Sequence, residues 1–231
     1  NGYKKVNSAQ IGKLNKDKTS FVSSETIECD CICVSGFWTP TVHLASQSGN
    51  KLKFDDKIDA FVPDKSKQNE TSIGASKGTF TLQDILDEGF KKGFDLSKKI
   101  TNNNNSTSTP NSNEIKKSPH DKFWCSPLPK DKNFKRFVDF QNDVSVSDIE
   151  VALREGYRSI EHVKRYTTLG MATDQGRTSN INGLQLVANV EKKIVPQVGH
   201  TTFRPPFTPI TIGTIVGREI DIEYMPTRKT P

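Results

Sequence analysis

The sequence predicts an α+β chain built as two globular units, on three observations. A mostly apolar alternating run near the start reads as a sheet strand, four later segments carry apolar residues at helical spacing, and an asparagine-rich tract lies between the two groups. A chain of 231 residues and 25.8 kDa has room for one large domain or two small ones. Its hydrophobic fraction of 32% and mean hydropathy of −0.62 are low for one compact core, and the polar middle tract explains much of the deficit.

The first element is TIECDCICVS, residues 26–35, which puts Ile27, Cys29, Cys31 and Cys33 on one face and stops at Gly36. That pattern suits a buried strand. Successive same-face residues on a strand stand about 6.5–7 Å apart, so one metal ion cannot easily take all three thiols, and core packing is the better account of them. An aromatic turn, GFWTPTVHLAS, follows, and then GASKGTFTLQDILDEGFKKG. In this second segment Thr81 and Asp84 form a helix-start signal, and Leu82, Ile85, Leu86 and Phe90 lie along one helical stripe. Gly74, Ala75 and Gly78 make a loop that lets a backbone approach a ligand closely, although Gly-Ala-x-x-Gly also serves as a plain tight turn.

Residues 101–118, TNNNNSTSTPNSNEIKKS, hold Ile115 as their one large apolar side chain. A segment that buries so little cannot offset its ordering entropy, so 101–119 is expected to be a disordered linker. After it, 134–140 reads as a short strand. Ser147 and Glu150 form a capping box for a helix over 148–155 that Gly156 closes. Ser159 starts a second helix through Tyr166, burying Ile160 and Val163 and ending at Gly170. A third, 181–192, buries Ile181, Leu184, Val187 and Val190. The proline-punctuated tail from 201 is expected to be extended.

Several function classes recede on composition. The net charge of +6 and pI near 9.0 come from dispersed residues such as Lys4, Lys5, Lys116, Lys117, Lys130 and Lys132, without the aromatic-interleaved stripe of a nucleic-acid surface. No apolar run approaches the roughly 18 residues of a membrane span, and no signal peptide is visible. The expectation is a soluble, cytoplasmic chain with reduced cysteines, starting at Asn1 as a piece of something longer. His43, His120, His162 and His200 lack metal-ligand spacing, so no metal site is expected. Cys125 has no adjacent base to make it a nucleophile, and Arg204 beside two prolines has no evident chemistry.

The segment that points to chemistry is HVKRYTTLGMATDQGRTSN, residues 162–180. It joins a basic helix end, a glycine turn and a hydroxyl-rich loop directly ahead of the third helix. Helix starts carry unpaired N–H groups and a positive dipole end, so phosphates and carboxylates settle there. The candidate ligands are Thr168, Thr173, Gln175, Arg177, Thr178 and Ser179, with Arg177 able to fork onto a phosphate. A capping loop that satisfies only itself is the alternative.

Taken together, VDFQNDVSVSDIEVALREGYRSIEHVKRYTTLGMATDQGRTSNINGL and TTFRPPFTPITIGTIVGRE closely resemble the α subunit of heterotetrameric sarcosine oxidase. The upstream CICVSGFWTPTVHL and GASKGTFTLQDILDEG look like the end of its dinucleotide-binding region. The resemblance implies residues 1–100 as the last part of a FAD/NAD-type α/β region, then the linker, a small helical domain over 120–200, and an extended segment over 201–231 leading to a folate-binding domain. It also implies a complex that oxidatively demethylates sarcosine to glycine, yields hydrogen peroxide and passes one carbon to tetrahydrofolate. FAD would sit in the β subunit, FMN between α and β, and NAD on α. Ala75, Phe80 and Leu82 would border NAD in a partial site, since no G-x-G-x-x-G follows a strand here.

The helical domain further resembles small domains that hold a [2Fe–2S] cluster through C-x-C and C-x4-C pairs. The matching positions are Asp139 and Gln141, then Asp174 and Ser179, none of them a thiolate, so the cluster is expected to be lost. The expectation is therefore that this loop receives the FMN phosphate at the boundary with the β subunit, in a heterotetramer that this chain alone does not make active. A non-catalytic module that docks a flavin-bearing partner is the alternative. Relatives of this architecture also suit other N-methyl or secondary amines.

Overall fold

The computed structural model describes residues 2, 4–34, 36, 38–101, 108–113, 123–128, 134–205, 208 and 210–217. The architecture is α+β, as expected, but the sheets are small. Three antiparallel hairpins, β1–β2, β3–β4 and β5–β6, supply all the strand pairing among the described residues. Parallel pairs, which a βαβ dinucleotide unit would need, are not among them.

β1 (Ser8–Leu14) pairs with β2 (Phe21–Glu28), from Ser8 opposite Glu28 to Leu14 opposite Phe21, with a bulge at Lys13/Leu14. The strand expected over 26–35 therefore lies earlier and is mostly exposed. Its position follows from where β1 offers a partner: after Glu28 one more ladder bond, Cys29 N–H to the Asn7 carbonyl at 3.2 Å, ends the pairing. Cys31 and Cys33 are exposed and Cys29 half-buried, so the expected cysteine core face is not formed.

α1 (His43–Gln47) buries His43 and Ala45. Then β3 (Leu52–Asp55) and β4 (Ala60–Pro63) form a tight hairpin whose Phe54 and Phe61 rings meet edge to face at 5.3 Å. A 3-10 turn at Gly74–Lys77 leads to α2 (Leu82–Thr101). The Thr81–Asp84 signal holds as a side-chain hydrogen bond at the helix start. Ile85, Leu86 and Phe90 are half-buried, while Leu82, expected on the same stripe, is exposed. Of the expected linker, residues 102–107 and 114–119 lie outside the described residues. Ser112 in between donates its N–H to Gln83 Oε1 at 2.7 Å.

The helical unit opens with β5 (Phe137–Asp139) and β6 (Val144–Ser145), then α3 (Val146–Arg154), α4 (Ile160–Thr167), α5 (Asn180–Glu191) and α6 (Val195–Val198). α3 starts two residues before the expected place. Its cap is Ser145, whose N–H and hydroxyl both donate to Asp148 Oδ2 at 2.8 and 2.7 Å, in place of the expected Ser147/Glu150 pair. β6 feeds straight into the helix, and that fixes the earlier start. α4 begins after Ser159 as expected but ends at Thr168, in the left-handed region at φ 64°, two residues ahead of Gly170. A short helix, α7 (Ile212–Val216), interrupts the tail expected to be extended.

The core is one cluster including Val138, Val144, Ile149, Ala152, Leu153, Ile160, Val163, Leu169, Leu184 and Val187. Each aliphatic side chain buried there stabilises the fold by about 1.5–3 kcal/mol. Val190, expected inside, is 47% exposed, and Leu186 and Ala188 take the buried places instead. Trp124 and Cys125 pack against this cluster, and so do Phe54 and Phe61 from the other side of residues 101–119.

Candidate functional site: an acid-pinned loop and the cavity behind it

Residues 168–179 form the loop between α4 and α5, and Asp139 at the end of β5 holds it. The Asp139 carboxylate is 1% exposed. Its Oδ1 accepts the N–H groups of Gln141 and Asn142 at 2.9 and 3.1 Å; its Oδ2 accepts the Gly170 N–H at 2.8 Å and the Ser179 hydroxyl at 3.2 Å. Burial works to raise its pKa, but the N–H donors of Gly170, Asn142 and Gln141 outweigh that and hold it below the ordinary 3.8. Gln141 Oε1 accepts the Asp174 N–H at 2.7 Å, and Asp174 Oδ2 accepts the N–H and hydroxyl of Thr178 at 3.3 and 3.2 Å. Asp139, Gln141, Asp174 and Ser179, 40 residues apart at the extremes, thereby belong to one hydrogen-bonded network.

Behind the loop lies a cavity of about 100 Å³. Gly176, Arg177 and Asn180 form one wall, His43 and the 39–42 segment a second, and His200, Thr201 and Phe203 a third; Phe61 and Leu184 close its apolar side. His43 is 3% exposed, stacks on Phe203 with ring centres 4.0 Å apart, and has Nε2 2.9 Å from the Gln175 carbonyl. A carbonyl only accepts, so Nε2 carries the proton and the neutral ring has its lone pair on Nδ1. Burial lowers the His43 pKa below 6.5, with Arg177 and Lys164 acting the same way and Gln175 and Asp174 opposing. Lys164 is buried too, its Nζ donating to the Thr202 carbonyl at 2.9 Å. Burial, Arg204 and Arg165 push its pKa down against Glu161. The surroundings of the cavity are net cationic.

Asn180, first residue of α5, donates Nδ2 to Thr201 Oγ1 at 3.2 Å, while its buried Oδ1 meets no hydrogen-bond donor among the described residues. The amide lies against two loop glycines: a Cβ on Gly176 would stand 2.1 Å from Asn180 Cγ, and one on Gly170 2.1 Å from its Oδ1. Both glycines also have φ near +70°, at 74° and 65°.

The loop brings the expected phosphate ligands together only in part. Arg177 lines the cavity and is half-buried. Thr173 is exposed. The Thr168 hydroxyl bonds the Thr167 carbonyl at 2.5 Å, Gln175 Nε2 bonds the Ala172 carbonyl at 2.7 Å, and the Thr178 and Ser179 hydroxyls go to Asp174 and Asp139. Thr178 and Ser179 thus serve carboxylates, while Arg177 lines the cavity beside Gly176. His43, His200, Asn180 and Lys164 join the site without any local sequence signal. His162 is exposed, and His120 lies outside the described residues. Among the described residues no three His, Cys, Asp or Glu side chains group as a metal site needs.

The residues expected to border NAD run from Ala75 in the 3-10 turn, through Phe80, to Leu82 at the start of α2. Ala75 and Leu82 are exposed, and Phe80 is half-buried with its ring 6.5 Å from Trp38. Glu88 ties the turn, accepting the Gly74 N–H and the Thr79 hydroxyl, each at 2.8 Å. A separate, larger groove of about 770 Å³ runs between the β1–β2 hairpin and the helical unit, lined by Phe21, Trp124, Phe134 and Arg136 among others. No described helix is long and apolar enough to cross a membrane.

Residues 133–218 match the family model described as the sarcosine oxidase A3 domain. Over 215 residues, 90% of the chain, the sequence is 37% identical to sarcosine oxidase subunit alpha of Rhizobium meliloti (strain 1021). It is 33% identical over 226 residues, 96% of the chain, to the subunit of the same name from Corynebacterium sp. (strain P-1). A third, from Corynebacterium sp. (strain U-96), is 34% identical over 84% of the chain. The matched stretches are 21%, 23% and 21% of those proteins, so the chain spans about a fifth of the length of the curated relatives it matches.

Proposed function

Because this chain belongs with the α subunits of sarcosine oxidase, we propose that it serves as part of such a subunit in a multi-subunit oxidoreductase that demethylates sarcosine to glycine. The observation that carries this reading is identity of 33–37% across nearly the whole chain, with the A3 domain inside it. Within the complex the chain contributes structure at a cofactor boundary, and the redox chemistry belongs to flavins held with the β subunit. The Gly176–Arg177 corner receives the FMN phosphate, with Thr173 at its solvent edge. FMN would supply electron transfer there; the chain's own part is to neutralise the phosphate charge and fix its position. NAD would rest along Ala75, Phe80 and Leu82, between the 3-10 turn and the start of α2, with its pyrophosphate held elsewhere on a longer subunit. FAD and tetrahydrofolate would likewise bind elsewhere in the heterotetramer.

The exposed tail side chains Ile210, Ile212 and Ile215 suit the second reading, an assembly module that docks its partner without touching a flavin. Co-expression of the chain with a β subunit separates the two. A purified yellow complex whose FMN content falls several-fold in Arg177→Ala supports the cofactor reading. A colourless complex, or one with unchanged FMN in the variant, leaves the assembly module.

A further inference from the structure

We infer that α2 pairs with α2 of a second copy of this chain, antiparallel and across a two-fold axis beside Lys91. The inference does not rest on the flavin reading and needs no partner of another sequence.

α2 runs from Leu82 to Thr101, about 30 Å of helix at 1.5 Å per residue, and none of its 20 residues is buried. Leu82, Leu86, Gly89, Gly93, Leu96 and Ile100 follow one another at alternating spacings of four and three, the heptad seam of a helix pair. At 100° per residue they fall within an arc of about 80°. Ile85 and Glu88 flank that arc on one side and hold the 3-10 turn: a Cβ on Gly74 would stand 3.3 Å from Ile85 Cγ2, and Glu88 accepts the Gly74 N–H. Gln83 flanks it on the other side and accepts the Ser112 N–H. Between these flanks Leu82, Leu96 and Ile100 are 56%, 57% and 82% exposed, and a Cβ on Gly89 or Gly93 would meet nothing within 4 Å. A row of apolar side chains left in water along one helix face marks a contact surface, where a single exposed leucine would not.

The order of residues selects the occupant. Turned end for end about Lys91, the seam falls on itself, with Leu82 opposite Ile100, Leu86 opposite Leu96 and Gly89 opposite Gly93. An isologous two-fold contact requires this self-complementarity, because every pair across the axis occurs twice. Charge gives the direction. Asp84, Asp87 and Glu88 occupy the first half of the helix without a base, whereas Lys91, Lys92, Lys98 and Lys99 occupy the second against Asp95 alone. Antiparallel copies lay each acidic half along a basic one and oppose their helix dipoles; parallel copies would set like charge on like. Lys91 and Lys92 lie beside the axis, and their long stems carry the charge out to water. The central glycines let the two backbones approach closely where the helices cross, while the leucine and isoleucine side chains pack toward both ends.

Sedimentation equilibrium of the 231-residue chain, free of any other subunit, is the test. The expected result is a monomer–dimer equilibrium with a dissociation constant between about 1 μM and 1 mM, weakened several-fold at about 1 M salt. Gly93→Lys puts a charge on the seam and should abolish the dimer. In the dilute monomer the same change meets no neighbour and improves the helix, so the melting temperature should hold or rise, which separates lost association from lost folding. Leu96→Gln should weaken association at least about tenfold. Reversing Lys98 and Lys99 together to Glu should weaken an antiparallel pair and leave a parallel one unchanged. A chain that stays monomeric up to about 1 mM overturns the inference and leaves the face to a helix of different sequence. A dimer indifferent to Gly93→Lys and Leu96→Gln overturns it by placing the contact elsewhere, and one indifferent to the lysine reversal overturns the antiparallel arrangement.

Discussion

At the scale of single residues, Asp139 carries more of the site than any group with evident reactivity. A buried carboxylate is expensive to desolvate and persists here because four donors from two segments reach it: the N–H groups of Gln141 and Asn142 in the turn after β5, and the Gly170 N–H and Ser179 hydroxyl of the 168–179 loop. Hydrogen bonds to a charged acceptor contribute roughly 1.5–3 kcal/mol each when removed singly, and they are not additive. Asp139→Asn keeps the shape but turns an N–H₂ toward one set of donors. It should therefore cost about 2–4 kcal/mol at pH 7, read as a lower denaturant midpoint. The pH dependence has a definite sign. The folded-state pKa lies below 3.8, so the stabilisation is fully present above the unfolded value and is lost as pH falls through the folded one. The gap between native and Asp139→Asn chains should close on acidification below pH 3.8. A gap that stays constant down to acid unfolding would show that the carboxylate is not the source.

At the scale of elements, α5 shows a local preference yielding to packing. Gly183 sits inside this helix, where alanine is ordinarily better by about 1 kcal/mol. A Cβ there would stand 2.5 Å from Leu169 Cδ2, and Leu169 is 1% exposed with no room to swing aside. Overpacking of this kind costs typically 1–3 kcal/mol, so it outweighs the propensity gain. Gly183→Ala should lower the melting temperature despite improving the helix, and Leu169→Val should recover part of the loss in the double variant; additive losses would count against the contact. The same element explains what was legible beforehand. Ile181, Leu184 and Val187 recur at 3.6-residue spacing and bury as expected, and Ser159 and Gly156, at φ 96°, mark helix ends correctly. Residues 26–35 misled because their alternation is real while their ladder depends on β1, which local pattern does not reveal. The capping box moved for a related reason, since Ser145 and Ser147 offer equivalent side chains and only the preceding strand chooses between them.

At the scale of the whole molecule, the site exists because distant segments close on the loop. His43 meets the Gln175 carbonyl across 132 residues, and no spacing rule in the sequence announces that contact. Ser179 stands out in the sequence by its place ahead of the third helix, whereas nothing local marks Asp139, Gln141 and Asp174, which hydrogen bonds join to it in the fold. The middle tract reads as a linker between two units, and Phe61 from before it packs on the helical core and meets His200 at 5.3 Å, beside the cavity. A core shared across that tract implies that residues 39–63 and 134–203 lose structure together, because opening either side exposes the apolar face of the other. Calorimetry of the chain should accordingly show one cooperative transition for these regions. Phe61→Ala, at a half-buried position, should destabilise that transition as a whole by about 2–3 kcal/mol, less than the roughly 3–5 kcal/mol for truncating a fully buried aromatic side chain. Near-UV signals from Trp38 and Trp124 should melt at the same shifted temperature as the helical far-UV signal. Two separated transitions, with Phe61→Ala moving only one, would mean that the cavity wall formed by His43 closes and opens independently of the loop it faces.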